Sequence, residues 1–356
     1  MKLKHAKVSA ALVTCLALVT ACGGESGTSD GGGDGKLSGQ QLVFVNYGGD
    51  SLAAAKAGWL EPFTKKTGVK FATDSPTNSA KIKTMVDSGS TTWDVVDSDI
   101  ATGSMGCGTL FEKRPADFDT SGVDPQYVTD DCLVPILRQS IALVYNKKLF
   151  GDAPPTSVED FMDLDTFPGK RIVYSGYVGG AVEPLLIADG VEPDKMYPID
   201  WTRAEGVFDK LGKNAVLQPE LAQQQASLES GDFSMCLCYV ARAALAAENG
   251  ADVEVVWDKI YSGWDGAYAV KGSKSPEAQW EFMQFLATPE GQNPYYEHLP
   301  YSPTTVGEAP ATKPTYERFM PALNQDKIKV NYYWDVPYWN TNAEAAVEEW
   351  TRITTG

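Results

Sequence analysis

Gln41-Leu-Val-Phe-Val-Asn-Tyr47, Val69-Lys-Phe-Ala-Thr73 and Trp93-Asp-Val-Val-Asp97 decide the fold. Each is a short run of β-branched and aromatic residues, the pattern of a buried strand. Gly48-Gly49-Asp50 breaks the first run, and Ser51 to Lys66 then carries Leu52, Ala55, Trp59, Leu60 and Phe63 at helical spacing. Thr67-Gly68 stops that helix. Ser79 to Ser88 forms a second helix with Ile82, Met85 and Val86 inward. Strand, helix, strand, helix, strand predicts a parallel α/β sheet. Further along, Ile141 to Tyr145, Arg171 to Tyr174 and Phe233 to Cys238 read as a second group of strands. Helices are expected around Glu183 to Ala188, Trp201 to Leu211 and Glu220 to Ser230. Val253 to Trp257 and Gly266 to Val270 read as two more short strands. An amphipathic helix, Pro276 to Ala287, follows, with Ser275 as cap and Pro276 in its first turn.

The N-terminus has a different character. Lys2, Lys4 and Lys7 precede an apolar run from Val8 to Ala21, which is short for a membrane span. The run ends Val19-Thr20-Ala21-Cys22, which resembles a bacterial lipobox and implies cleavage before Cys22 and lipid on its sulfur. The alternative is an ordinary secretory signal in which Cys22 is incidental. Residues 23–39, nearly all Gly, Ser, Asp, Thr and Glu, suit a flexible tether that holds a domain off a membrane surface. Residues 1–22 are therefore expected to be a lipoprotein signal peptide, and the mature protein to sit outside the cytosol, anchored to the cell membrane by lipid.

The chain has 356 residues, 43% of them hydrophobic, enough for about two domains. Its net charge of -17 repels phosphate backbones, so nucleic acid is not an expected partner. The acidity also serves the solubility of an exported protein. His5 and His298 are the two histidines, which rules out a His-rich metal centre and nearly rules out a Ser-His-Asp or Cys-His site. Four cysteines remain after Cys15 and Cys22. Residues 236 and 238 of an extended strand are separated by about 6.5–7 Å between Cα atoms. That is the outer limit for a bridge. Cys107–Cys132 is thus the expected disulfide, closing a loop of about 25 residues and contributing about 3 kcal/mol. Cys236 and Cys238 are expected to be free buried thiols. Neither a metal nor a cofactor is expected.

Segments across residues 40 to 350 resemble the polyamine (spermidine/putrescine)-binding group of ABC-transporter solute receptors. They include Tyr47-Gly48-Gly49, Pro62 to Val69, Trp93 to Val96, Ala142-Leu-Val-Tyr-Asn146, Phe167-Pro-Gly-Lys-Arg171, Asp189-Gly-Val191 and Tyr197-Pro-Ile-Asp200. Ser230-Gly-Asp232, Lys271-Gly-Ser273 and Leu299-Pro-Tyr-Ser-Pro303 complete the series. The resemblance implies the two-lobed, type II periplasmic-binding-protein fold, with crossing hinge strands and a solute held between the lobes. One lobe would comprise residues 40–144 plus 267–310, and the other 145–266 plus 311–356. It also implies a monomer that hands its solute to the permease subunits of an importer.

Loops at the carboxyl ends of the strands should line the cleft. That brings in Tyr47 and Gly49 after the first strand and Ser98 after the third. Polyamine receptors hold ammonium groups with carboxylates and cover methylenes with aromatics. Tyr177, Tyr239, Trp264, Tyr268 and Tyr301 are the further aromatic candidates. By the resemblance, Tyr239 follows the strand after Ser230-Gly-Asp232, and Trp264-Asp265 sits at the second crossover. The chain departs from the polyamine pattern after Tyr174, where 175–183 offers Glu183 as its one acidic residue. Arg242 opens the helix after Tyr239, where a diamine would meet a like charge. An Arg fork suits a carboxylate and Asp265 an ammonium, so the expected solute is a small zwitterion such as γ-aminobutyrate or another ω-amino acid. The alternatives are a true polyamine and, from other classes, an adhesion protein or a secreted hydrolase. The hydrolase reading lacks a nucleophile–base pair, and the expectation is a binding protein without enzymatic activity.

Overall fold

A computed structural model of the chain describes residues 37–176 and 178–355. The signal, Cys22, most of the tether and Tyr177 lie outside the described residues. Nine strands form one mixed sheet in the order β2-β1-β3-β8-β4-β7-β5-β6, with β9 alongside β8. They are β1 (Gln41–Val45), β2 (Lys70–Asp74), β3 (Val95–Asp99), β4 (Val134–Asn146), β5 (Arg171–Tyr174), β6 (Ala215–Gln218), β7 (Met235–Tyr239), β8 (Val253–Ala269) and β9 (Val330–Tyr333). The architecture is α/β in two halves. In one half β1 runs parallel to β2 and β3, and in the other β5 runs parallel to β6 and β7. Between them β4 and β8 pair antiparallel from Val134↔Ala267 to Asn146↔Val253, so both strands belong to both halves. The buried hydroxyls of Ser140 and Ser262 meet at 2.8 Å midway along this pair.

The long strands differ from the sequence expectation. Ile141–Tyr145 is the end of a 13-residue strand, and the two short strands at 253–257 and 266–270 are one strand of 17 residues. Asp265-Gly266 looks like a turn in sequence. Here Gly266 is extended, and its missing side chain admits Leu133, whose Cδ1 would lie 1.8 Å from a Cβ at that position. The first helix runs from Gly49 to Thr67 as expected but contains a π-helical turn at Lys56–Leu60. Gly58 in that turn lies against the backbone of Tyr295, 2.4 Å from where its Cβ would stand, and Trp59 stacks on the Tyr295 ring at 4.2 Å. The helices at Ser79–Asp87, Trp201–Leu211, Leu221–Ser230 and Pro276–Leu286 occupy their expected places. β6 and β9, four residues each, carried no clear pattern.

Cys107 and Cys132 are joined, with Cα atoms 5.6 Å apart. The expectation of free thiols at Cys236 and Cys238 is corrected, because these sulfurs are also joined. The Cα atoms there are 5.2 Å apart, shorter than the spacing of an ideal extended strand and inside the range a bridge spans. Among the described residues, no helix is long and apolar enough to cross a membrane.

Candidate functional site

The carboxyl ends of β1, β3, β5 and β7 converge beside the central β4–β8 pair. Asn46, fully buried at the end of β1, shapes the first of these ends. Its Oδ1 accepts from Gly48 N at 2.9 Å and its Nδ2 donates to Ser51 Oγ at 3.1 Å. The chain turns here through Gly48 and Gly49, both at positive φ. Tyr47 is left half exposed, and its hydroxyl accepts from Asp99 N at 2.8 Å. Gly49 is exposed at the start of the helix that follows.

Three carboxylates gather beside Tyr47. In the β3–β8 pair Asp99 lies opposite Asp265 and Asp97 lies opposite Ala267. Strand alternation puts Asp97, Asp99 and Asp265 on one face. Asp97 is 1% exposed and Asp265 7%. Gln139 donates to Asp265 Oδ1 at 3.2 Å, whereas neither carboxylate oxygen of Asp97 has a partner among the described residues. Asp99 caps the next helix by accepting from Thr102 N at 2.9 Å. Burial, followed by the charge of Asp99, pushes the Asp97 carboxyl up to about 8. Burial also raises Asp265, helped by Asp97 and Asp99.

Arg242 approaches from the other half, on the helix Val240–Glu248 that Tyr239 leads into. One Nη contacts Gln225 Oε1 at 3.5 Å and Asp50 Oδ2 at 3.9 Å, while Nε is buried without a partner. Tyr301 sits between the two charged ends. Burial raises its phenol, the Arg242 charge and a hydrogen bond from Arg242 lower it, and Asp265 and Asp97 raise it. Tyr239 packs edge-on against Tyr174 at 5.4 Å, and its phenol is raised by burial and then by Tyr174, Asp265 and Tyr301. The loop after β5 closes over these rings. Gly180 lies against the Tyr239 hydroxyl and Gly179 against the Trp334 indole, where a Cβ would come within 2.6 Å of each.

The structure thus brings together Tyr47, Tyr239, Arg242, Asp265 and Tyr301. Trp264 does not join them. It faces the opposite side of β8 from Asp265, packs on Tyr127 at 5.3 Å, and donates its indole N–H to Tyr127 O at 3.1 Å. Ser98 is likewise buried on the other face of β3 from Asp97 and Asp99. Tyr268, also fully buried, packs on Phe111 at 4.8 Å. Glu183 belongs to the helix Val182–Ala188. Its Oε1 accepts from Tyr197 OH and Tyr261 OH at 2.8 Å and from Trp339 Nε1 at 2.9 Å. Asp97, Asp99 and Gln139 went unread in the sequence. The Asp-x-Asp spacing at the carboxyl end of a predicted strand was the available signal, since period two puts both on one face.

Chemically, the arrangement offers anionic groups at one end, a cation at the other and phenols between. The pattern of bacterial extracellular solute-binding proteins matches residues 58–322. The chain is 31% identical to a gamma-aminobutyric acid-binding protein of Pseudomonas aeruginosa over 296 residues, covering 79% of this chain and 82% of that protein. A solved GABA receptor superposes with a TM-score of 0.77 at 28% identity, over 88% of this chain and 97% of that one. An ABC transporter substrate-binding protein of Bradyrhizobium japonicum gives a TM-score of 0.79 at 28% identity, over 88% and 99%. With a two-halved α/β fold, a cluster of charged and phenolic groups drawn from both halves and these relatives, the chain belongs to the bacterial extracellular solute-binding protein family.

Proposed function

We propose that the protein is the extracytoplasmic receptor of an ABC importer for a small ω-amino acid such as γ-aminobutyrate. The solute's carboxylate pairs with Arg242, its ammonium with Asp265 and Asp97, and Tyr47, Tyr239 and Tyr301 cover the methylenes. The observation that carries this reading is a set of buried polar atoms without partners, one on the cationic side chain and two on the acidic one. Arg242 Nε and both Asp97 oxygens lack partners, and unpaired buried groups of this kind are costly unless a ligand satisfies them. The names of the relatives agree with it. Anchoring at Cys22 by lipid, after cleavage before Cys22, would hold the receptor beside its permease on the extracytoplasmic face of the cell membrane.

A polyamine is the second reading. The gathering of Asp97, Asp99 and Asp265 favours it, and Arg242, a cation where the second ammonium would lie, opposes it. A thermal-shift screen separates the two. ω-Amino acids should raise the melting temperature, with a gain of about 2.7 kcal/mol at a hundredfold excess over Kd. If diamines stabilise the protein and ω-amino acids leave it unchanged, the zwitterion reading is wrong.

A further inference from the structure

We propose that, in the absence of solute, Asp97 and Asp265 hold one proton between them, and that the solute's primary ammonium displaces it. Binding is then an exchange of ammonium for proton. This rests on the reading of Asp97 and Asp265 as the ammonium end of the site.

The geometry sets the problem. The β3–β8 register makes Asp97 and Asp265 diagonal neighbours on one face, with Asp99 directly opposite Asp265. Both are buried, and the amide of Gln139, a neutral donor, is the one side chain that bonds to the pair among the described residues. The titratable groups around them supply no compensating charge. Tyr47 comes from the end of β1, Tyr239 from β7, Tyr268 from β8, and Tyr295 and Tyr301 from the segment after the helix Pro276–Leu286. Burial first holds the phenols of Tyr239, Tyr268, Tyr295 and Tyr301 above their ordinary range, and the half-exposed Tyr47 is a phenol beside Asp97, Asp99 and Asp265, so none of them supplies a cation. Asp99 adds a third acidic group. Arg242 acts on Tyr301 and Tyr174 and makes its ion pair with Asp50. Two buried carboxyls side by side without a cation do not both ionise. The upward displacement of both groups agrees with this.

An arriving ammonium keeps its three N–H bonds and directs them at the carboxylate oxygens. The proton held by the pair leaves for bulk water. The pair carries one negative charge when empty, and pair plus ammonium carry one when filled. The filled cleft therefore buries no more net charge than the empty one. A trimethylammonium group has no N–H with which to replace the proton, so the exchange selects primary amines.

Two measurements test this. Calorimetry with γ-aminobutyrate near pH 7, in buffers of differing ionisation enthalpy, should show about one proton released per solute bound. Affinity should rise by up to tenfold per pH unit below the titration range of the pair. Putrescine carries the same group and serves if it is the better solute, so the choice of solute is decided separately. Binding without proton release would overturn the exchange. The second measurement needs no solute. Asp97 has its folded-state pKa raised from 3.8 to about 8, so the folded protein holds the extra proton in that window and stability falls as pH rises through it. Asp97→Asn should remove that decline, gaining on the wild type between about pH 5 and 8. Parallel stability curves for the two proteins would show that no proton is held there.

Discussion

Glu183 shows how much of an acidic residue's role depends on surroundings that the sequence hides. In the sequence it is the one acid in residues 175–183, at the start of an expected helix, and its partners cannot be read. In the fold it is fully buried, and one oxygen receives Tyr197, Tyr261 and Trp339. Burial raises its carboxyl from 4.5 to about 8, against the pull of those donors. The folded state thus binds a proton the unfolded state has lost, and stability contributed here falls between about pH 4.5 and 8. Glu183→Gln should flatten this part of the pH profile in denaturant titrations while keeping the fold. Glu183→Ala strands three donors and should lose about 2–4 kcal/mol at any pH. A Gln variant as unstable as the Ala variant would contradict this assignment. Arg242 and Asp265 stood out because charge type alone suggests a partner, and the structure puts both within reach of Tyr301. Trp264 and Ser98 were misplaced because the face a strand residue takes depends on register, which one residue of offset reverses.

At the scale of elements, the first helix and the parallel strands were readable from periodicity, but the hinge was not. Val253–Trp257 and Gly266–Val270 look like two separate strands, and the structure runs β8 straight through from one to the other. The reason is close packing of Leu133 on Gly266, a contact remote in sequence. The π-helical turn at Lys56–Leu60 was equally invisible, since it exists to admit the Tyr295 backbone against Gly58. Gly58→Ala places a Cβ against main-chain atoms that cannot rotate away, and should destabilise by about 2–3 kcal/mol in urea unfolding. An unchanged midpoint would show that the helix can shift there. The Cys107–Cys132 bridge ties the end of the helix Ile100–Gly106 to the start of β4. Peptide mapping without reduction should recover 107 joined to 132, and free Cys107 would refute it.

At the largest scale the described residues form two halves sharing β4 and β8, with charged and polar contacts between them. Asp50 reaches Arg242 at 3.9 Å, and Ser104 meets Asn340 at 3.0–3.2 Å. A solute bound to Asp265 at one end and Arg242 at the other would bridge the same two halves and bias a hinge of this kind toward closure. The net charge of -17 fits attraction of a cationic end and gives no information about the opposite one, which is why the solute class turns on Arg242. Calorimetry on wild type and Arg242→Ala with γ-aminobutyrate and putrescine is the most direct measurement. The expected result is γ-aminobutyrate binding to wild type, a loss of about 2–5 kcal/mol in the variant, and putrescine binding that is unchanged or stronger there. Tight binding of putrescine by wild type, with no response to γ-aminobutyrate and no effect of the substitution on either, would contradict it.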